Sequence, residues 1–383
     1  MLKRVPRFVL AGTNSGCGKT TVTCAVLRAL VDRGIKTGAA KCGPDYIDPM
    51  FHSRVIGARS SNLDPFFFDE NTLRFLLAEN GADCEVTVIE GVMGYYDGLG
   101  MTTTRASTYE VAQRTKSPVV LVVSAAAAAL SVLATVQGFI SFMPESRICG
   151  VILNGCTAMS YAPLAHELEA RFGVRPCGFL PKIPECGLES RHLGLITAAE
   201  VADLGEKLAR LAAEAEKSID IDALLDIARA APELEFTPPQ LPKPGERVRI
   251  GVASDRAFCF YYEDSLRLLR RLGAETVPFS PLEDARLPEN LQGLYLGGGY
   301  PELYADRLAE NASMRESVRD AVLGGIPTIA ECGGFMYLTQ EISGFPMAGA
   351  LPGGCHDTGR LTRFGYVTLT AERDNLLCRA GES

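Results

Sequence analysis

Nine consecutive residues, Gly12-Thr13-Asn14-Ser15-Gly16-Cys17-Gly18-Lys19-Thr20, set small residues ahead of a lysine and a hydroxyl. That order suits a polyphosphate. Backbone N–H groups at a helix start hold phosphate, and small residues let the backbone come close. Lys19 then reaches the β- and γ-phosphates of ATP, and the Thr20 hydroxyl is available to Mg²⁺. The commoner form of this loop has a glycine five residues before Gly18; here that position is Thr13, and Gly12 stands one residue earlier. A magnesium ion needs hard oxygen ligands beside the phosphates. Glu90 closes the apolar-rich run 86–89, and Lys41 closes another, followed by Asp45 and Asp48. Strand ends of this kind are where α/β proteins bind ligands. An aspartate in such a loop also makes Asx turns, so Asp45 and Asp48 carry both readings.

A second chemistry lies far downstream. Residues 328–330 run as an apolar strand into Glu331-Cys332-Gly333-Gly334. A cysteine on a tight turn between strand and helix is a nucleophile elbow, because a helix N-terminus favours the thiolate. A nucleotide site and a thiol nucleophile in one chain suggest an ATP-driven ligase that makes its own ammonia.

Two series of elements must position these groups. Segments 8–11, 37–41, 86–90, 119–123 and 148–153 read as buried strands, and 20–33, 72–80, 108–115 and 162–172 as helices. Gly34 and Gly173 are placed to stop helices. Alternating strands and helices predict a doubly wound parallel sheet. Helices follow over 198–217 and 223–230. Pro232, Pro238, Pro239, Pro242 and Pro244 then fall within thirteen residues, which predicts a stiff linker over 232–246 between domains at 1–231 and 247–383. The second domain repeats the pattern, with strands at 248–253, 276–279, 294–296 and 328–330 and helices at 263–272 and 314–323. The fold class expected is α/β, with two doubly wound domains.

Composition narrows the setting. A chain of 383 residues with 47% apolar content fills two domains. The net charge of −8 argues against a general nucleic-acid binder. Twelve scattered cysteines include no Cys-x-x-Cys pair, so neither a zinc site nor a disulfide framework is expected, and reduced thiols imply a cytoplasmic protein. The basic start, residues 1–7, meets the phosphate loop too soon for a signal peptide. The bland run 118–133 is too short for a membrane span and is broken by Ser124 and Ser131.

Five runs carry a resemblance. Residues 41–52 (KCGPDYIDPMFH), 61–65 (SNLDP), 88–98 (VIEGVMGYYDG), 297–302 (GGGYPE) and 331–338 (ECGGFMYL) resemble the cobyrinate a,c-diamide synthase family. The early glycine fits, because the first domain is similar to dethiobiotin synthetase, whose phosphate loop has the same spacing. The second domain resembles class I glutamine amidotransferases. The resemblance implies a P-loop NTPase-like sheet followed by an amidotransferase sheet. It also implies ATP- and glutamine-dependent amidation of two acetate carboxylates on cobyrinate or a related tetrapyrrole, in cobalamin synthesis. Lys19 and Lys41 would hold phosphates, Thr20, Asp48 and Glu90 would hold Mg²⁺, and Asp45 and Asp97 would orient substrate or intermediate. Asn154 stands where related ATPases read adenine, although a strand-ending turn explains it nearly as well. His192, in the family-like run 190–195, is expected to be structural or to touch substrate.

For the thiol site the resemblance implies attack of Cys332 on the glutamine side chain, with Gly298, Gly299 and Gly333 shaping the oxyanion and glutamine site. The family's histidine base lies beyond the last residues of this chain. His356 falls in a run, 351–365, that resembles a stretch with no catalytic histidine. The chain therefore reads as ending within the amidotransferase domain. Ni-sirohydrochlorin a,c-diamide synthase shares these motifs and is the first alternative. A nucleotide-switched binding protein is the second, although residues 12–17 lack the extra lysine frequent in such proteins. The expected partners are a tetrapyrrole carboxylate, ATP and glutamine, without nucleic acid or membrane; a homodimer is left open.

Overall fold

The computed structural model describes residues 1–100, 102–183, 186, 202–360 and 365–383. They divide into two compact units, Met1–Gln240 with Tyr262–Asp264, and Leu241–Tyr261 with Ser265–Ser383.

In the first unit, seven strands form one sheet: β1 (Arg7–Gly12), β2 (Thr37–Cys42), β3 (Arg59–Leu63), β4 (Val86–Glu90), β5 (Val119–Ser124), β6 (Ile148–Asn154) and β7 (Arg175–Leu180). Their order is β3-β2-β4-β1-β5-β6-β7, and every pairing is parallel. Every residue of β1, β2 and β4 is buried, which is why these strands appear in the sequence as near-continuous apolar runs. The connections reverse direction at β1, between β4 and β5, and open a crevice at the carboxyl ends of these strands.

Helices cover both faces. One face carries α1 (Lys19–Asp32), α7 (Ala202–Ser218) and α8 (Ile221–Arg229), with α2 (Ile47–Phe51) running into a π-turn at His52–Ile56. The other carries α3 (Glu70–Asn80), α4 (Thr108–Arg114), α5 (Ser131–Phe142) and α6 (Ala158–Phe172). Asp69, Ser107 and Thr157 cap the starts of α3, α4 and α6 with their side chains. Gly34 and Gly173 follow α1 and α6 with φ of 74° and 64°, the left-handed region that stops a helix. The five expected strands and the four helices expected among them are present, and the helices expected over 198–217 and 223–230 appear as α7 and α8 in the described residues. Strands β3 and β7, the two sheet edges, escape the pattern because one is built from Arg-Ser-Ser-Asn-Leu and the other contains proline and glycine.

Leu2–Lys3 pairs antiparallel with Leu234–Glu235, and Phe236 is buried, so the first residues of the proline-rich stretch belong to this unit. Among the described residues no helix is long and apolar enough to cross a membrane.

The second unit holds a parallel sheet of β8 (Val248–Ala253), β10 (Ala274–Phe279), β11 (Gly293–Leu296) and β13 (Thr328–Ala330), ordered β10-β8-β11-β13. Between β8 and β10, β9 (Phe258–Phe260) pairs antiparallel with β12 (Gly298–Gly299). Helices α9 (Glu263–Arg271), α10 (Ala305–Glu310) and α11 (Ala312–Leu323) lie between strands, and α12 (Gly333–Leu338) follows β13. The core includes Phe258, Phe279, Leu296, Met314 and Tyr337. Three two-residue strands, Glu341–Ile342, Phe345–Pro346 and Gly354–Cys355, form a small sheet after α12.

Candidate functional site

The phosphate loop leaves β1 at Gly12 and enters α1 at Lys19, with Gly16 and Gly18 at φ of 82° and 95°. Only glycine takes both positions without strain. A Cβ on Gly12 would stand 2.5 Å from the Cys17 sulfur and 2.6 Å from the Lys19 stem. The early glycine therefore lets β1 pass beneath the curled lysine. Lys19 is buried, and its ammonium donates to the Asn14 carbonyl at 3.3 Å, closing the loop on itself. Burial pushes its pKa down and nearby Lys41 adds to that, while Cys17, Glu90 and Asp97 oppose. Asn154, ending β6, donates to the Cys17 carbonyl at 2.9 Å and lines a cavity of about 330 Å³ with Thr21, Ser124, Leu180 and Leu211.

Lys41 and Glu90 face each other in register on neighbouring strands β2 and β4. The Lys41 ammonium donates to Glu90 Oε1 at 3.0 Å and to the Gly91 carbonyl at 3.3 Å, and it pairs with Asp48 from α2. Thr20 donates to the same Glu90 Oε1 at 2.9 Å. The opposite oxygen, Oε2, lies 3.0 Å from His52 Nε2, although the ring is not aligned for a good hydrogen bond. Asp48 and His52 are one turn apart, so a single helical stretch aims both at the Lys41–Glu90 pair.

Burial acts strongly on all of these charges. It works against ionised Glu90, but Lys41 and then His52 outweigh it and hold this carboxyl far below the usual range. It also works against the Lys41 ammonium, which Glu90, Asp48 and Asp45 together keep above its ordinary value. Asp48 is pushed up to about 6, by burial first and by Glu90 second, with Lys41 opposing. Glu90 thus keeps the ionised state more firmly than its neighbour.

The chemistry of these donors fits Mg²⁺. Two carboxylates already share one cation, the Lys41 ammonium, and a hydroxyl touches one of them. Hard oxygens with room left for phosphate and water suit magnesium. Among the described residues no three His, Cys, Asp or Glu side chains are arranged to hold a metal ion by themselves, so the protein alone offers no closed cage.

Of the other expected residues, Asp45 accepts from the Ile47 N–H at 2.8 Å, an Asx turn leading into α2. Asp97 accepts from the Gly94 N–H at 2.8 Å, and Thr13 donates to Asn14 Oδ1 at 3.0 Å. Ser15 accepts from Asn14 Nδ2 through its carbonyl at 2.6 Å. Sequence reasoning gave His52 no role. Its spacing of four from Asp48 was the available signal. His192 lies outside the described residues.

In the second unit, Leu296 of β11 pairs with Ala330 of β13, and the Leu296 carbonyl accepts from the Glu331 N–H at 2.9 Å. Cys332 follows as the N-cap of α12 with φ 49° and ψ −112°, a strained conformation for a non-glycine residue. Its thiol is exposed. A Cβ on Gly334 would strike the Leu296 carbonyl, so only glycine lets α12 begin this close to β11. Gly298 runs alongside, where an added Cβ would come within 3.3 Å of Cys332 Cβ. A Cβ on Gly333 would lie 3.2 Å from the Gly299 nitrogen. The four glycines 298, 299, 333 and 334 are thus packed around the cysteine's turn. Among the described residues no histidine hydrogen-bonds to Cys332, and His356 is exposed.

Comparison with known proteins assigns each unit. Residues 8–229 match the CobQ/CobB/MinD/ParA nucleotide binding domain, and residues 249–372 match the CobB/CobQ-like glutamine amidotransferase domain. The cobyrinate a,c-diamide synthase of Thermoplasma volcanium is 42% identical over 99% of this chain and 84% of its own length. That of Priestia megaterium is 39% identical over 97% and 82%, and that of Salmonella typhimurium 41% identical over 100% and 85%. Two domain models in the same order, and relatives aligned along nearly the whole chain, place this protein in the cobyrinate a,c-diamide synthase family.

Proposed function

We propose that the chain uses ATP and glutamine to amidate the a and c acetate carboxylates of cobyrinate, through acyl phosphate intermediates. The observation that carries this reading is the convergence of Thr20, Lys41 and His52 on Glu90, with Asp48 on Lys41, beside the phosphate loop, in a chain that also bears the exposed Cys332 elbow. A carboxylate resists ammonia because its leaving group would be oxide. Phosphorylation makes a leaving group that ammonia displaces, and catalysis of that transfer is mostly positioning and charge neutralisation.

Lys19 and Lys41 are the cations for the phosphates, with the backbone of residues 12–20 cradling them. Thr20, Asp48 and Glu90 would hold Mg²⁺, which would supply charge neutralisation at the transferred phosphate. The Asn154 cavity, about 330 Å³ against the carboxyl ends of β6 and β7, has room for the adenine base. Asp45, whose charge acts on Lys41, and Asp97, whose charge acts on Lys19, orient the acceptor or its phosphate. At Cys332 the thiolate attacks the glutamine amide, with Gly298, Gly299 and Gly333 lending backbone to the oxyanion.

The test is amide formation and ATP consumption with a panel of tetrapyrrole carboxylic acids that includes cobyrinate and Ni-sirohydrochlorin, supplied with glutamine or ammonia. Amidation of cobyrinate is expected. Preference for the nickel tetrapyrrole would reassign the substrate. ATP turnover indifferent to every carboxylate would refute a ligase.

A further inference from the structure

Two cavities flank the phosphate loop, on opposite faces of the seven-stranded sheet. The cavity at Asn154 is walled by Thr21 of α1 and Leu211 of α7. The second, about 360 Å³, is bounded by Thr13 and Asp97 at one end and by one side of α5. That side presents Ala134, Thr135, Gly138, Phe139 and Phe142, a spacing that lines up a single helical stripe. The stripe is apolar yet largely uncovered. Phe142 is 69% exposed, although helix α5 buries Val132, Leu133 and Val136 in the core on its other side.

Aromatic rings form the wall facing this stripe. The Tyr96 ring stacks on Phe139 at 5.6 Å with an interplanar angle of 21° and meets Phe142 at 5.3 Å. The Tyr96 hydroxyl donates to the Phe139 carbonyl, which fixes the ring against the helix. Asp97, next in the chain, is held by the Gly94 N–H, and its charge acts on Lys19. The polar end of the cavity therefore opens at the phosphate loop, and the aromatic end lies away from it.

We propose that this second cavity is the acceptor subsite, taking one edge of a rigid, ring-shaped carboxylic acid with its acetate arm toward Thr13 and the phosphate loop. The inference rests on the functional reading above. In-line phosphoryl transfer requires the attacking oxygen to approach opposite the departing nucleotide. A base seated on the α1–α7 face leaves the α5 face for the acceptor. Apolar and aromatic walls with a few polar groups at one end suit a large ring body, and a small, fully polar acid would leave them wet. The volume accommodates an edge of a macrocycle, so the rest of the ring stays outside.

Gly138 provides the test. A Cβ there meets nothing within 4 Å, so the backbone has room for a side chain, and Gly138→Phe sets a ring on the face that lines the cavity. Cobyrinate KM is expected to rise on the order of tenfold or more, with ATP affinity unchanged. The chain contains no tryptophan, so Phe142→Trp adds one selectively excitable indole at the cavity mouth. Cobyrinate should quench it and saturate, and ATP alone should not. If the parent amidates cobyrinate while Gly138→Phe keeps the parental KM, the subsite is wrong and the functional reading stands. The subsite is equally wrong if the tryptophan ignores cobyrinate, which also decides the matter should Gly138→Phe fail to fold. A change in sedimentation mass for Gly138→Phe at parental KM would overturn the proposal in favour of a second copy covering the face. A parent that amidates no tetrapyrrole would overturn both.

Discussion

In the proposed function phosphate binding depends most on Lys19, whose buried ammonium closes the loop on the Asn14 carbonyl. Lys19→Ala is expected to cut amidation by on the order of 10²–10³, whether the nitrogen comes from glutamine or ammonia. A near-parental rate would mean that the loop is not the phosphate site. Glu90→Gln and Asp48→Asn keep shape and lose charge, so both should raise the Mg²⁺ concentration needed for half-maximal rate as well as lower the rate. Parallel Mg²⁺ titrations of variants and parent would decide, and superimposable curves would give these carboxylates another role. Most of these residues were legible in the sequence because a lysine, a hydroxyl and strand-end carboxylates are rare together. His52 was not legible as a site residue. It follows Met50-Phe51 and precedes Ser53-Arg54, a mixed run with no motif of its own, and only the fold shows its ring 3.0 Å from Glu90.

The strands that position the site were legible where burial on both faces writes a continuous apolar run, as in β1, β4 and β5. They were hidden where the strand is a polar edge, as in β3, whose carboxyl end nevertheless supplies Asn62 to hold the Gly43 and Asp45 carbonyls at 3.0 and 2.6 Å. Arg7 shows the converse. It belongs to a run of basic residues at the start of the chain, yet it begins β1 and is fully buried. Its guanidinium donates to the carbonyls of Val5, Thr115, Lys116 and Pro232 and to the Ser117 hydroxyl, at 2.7–3.3 Å. Burial, followed by the charges of Arg74 and Arg147, pushes its pKa down to about 9. Arg7→Met would strand several buried carbonyls, and the loss of stability should be on the order of 3 kcal/mol. Urea unfolding of the variant beside the parent measures it. A shift much smaller than that would show water replacing the guanidinium.

At the scale of the whole molecule, two chemistries on two sheets share one product, and their order makes them separable. In the proposed route ammonia enters after the thiol step, so a chain unable to hydrolyse glutamine would still form the acyl phosphate that ammonia intercepts. Cys332→Ser keeps the elbow's shape, including the Met336 N–H to Cys332 carbonyl bond at 3.0 Å, and replaces the nucleophile with a much weaker one. Whatever glutamine-supported amidation the parent shows should therefore fall to background, while ammonia-supported amidation stays within about twofold. Lys19→Ala, in contrast, should lose both. The pair of variants assayed with each nitrogen source forms a two-by-two comparison in which only one cell separates the thiol from the nucleotide site. If Cys332→Ser also loses the ammonia-supported reaction, the cysteine is needed for the amidation step itself, and the assignment of separate chemistries to the two units fails.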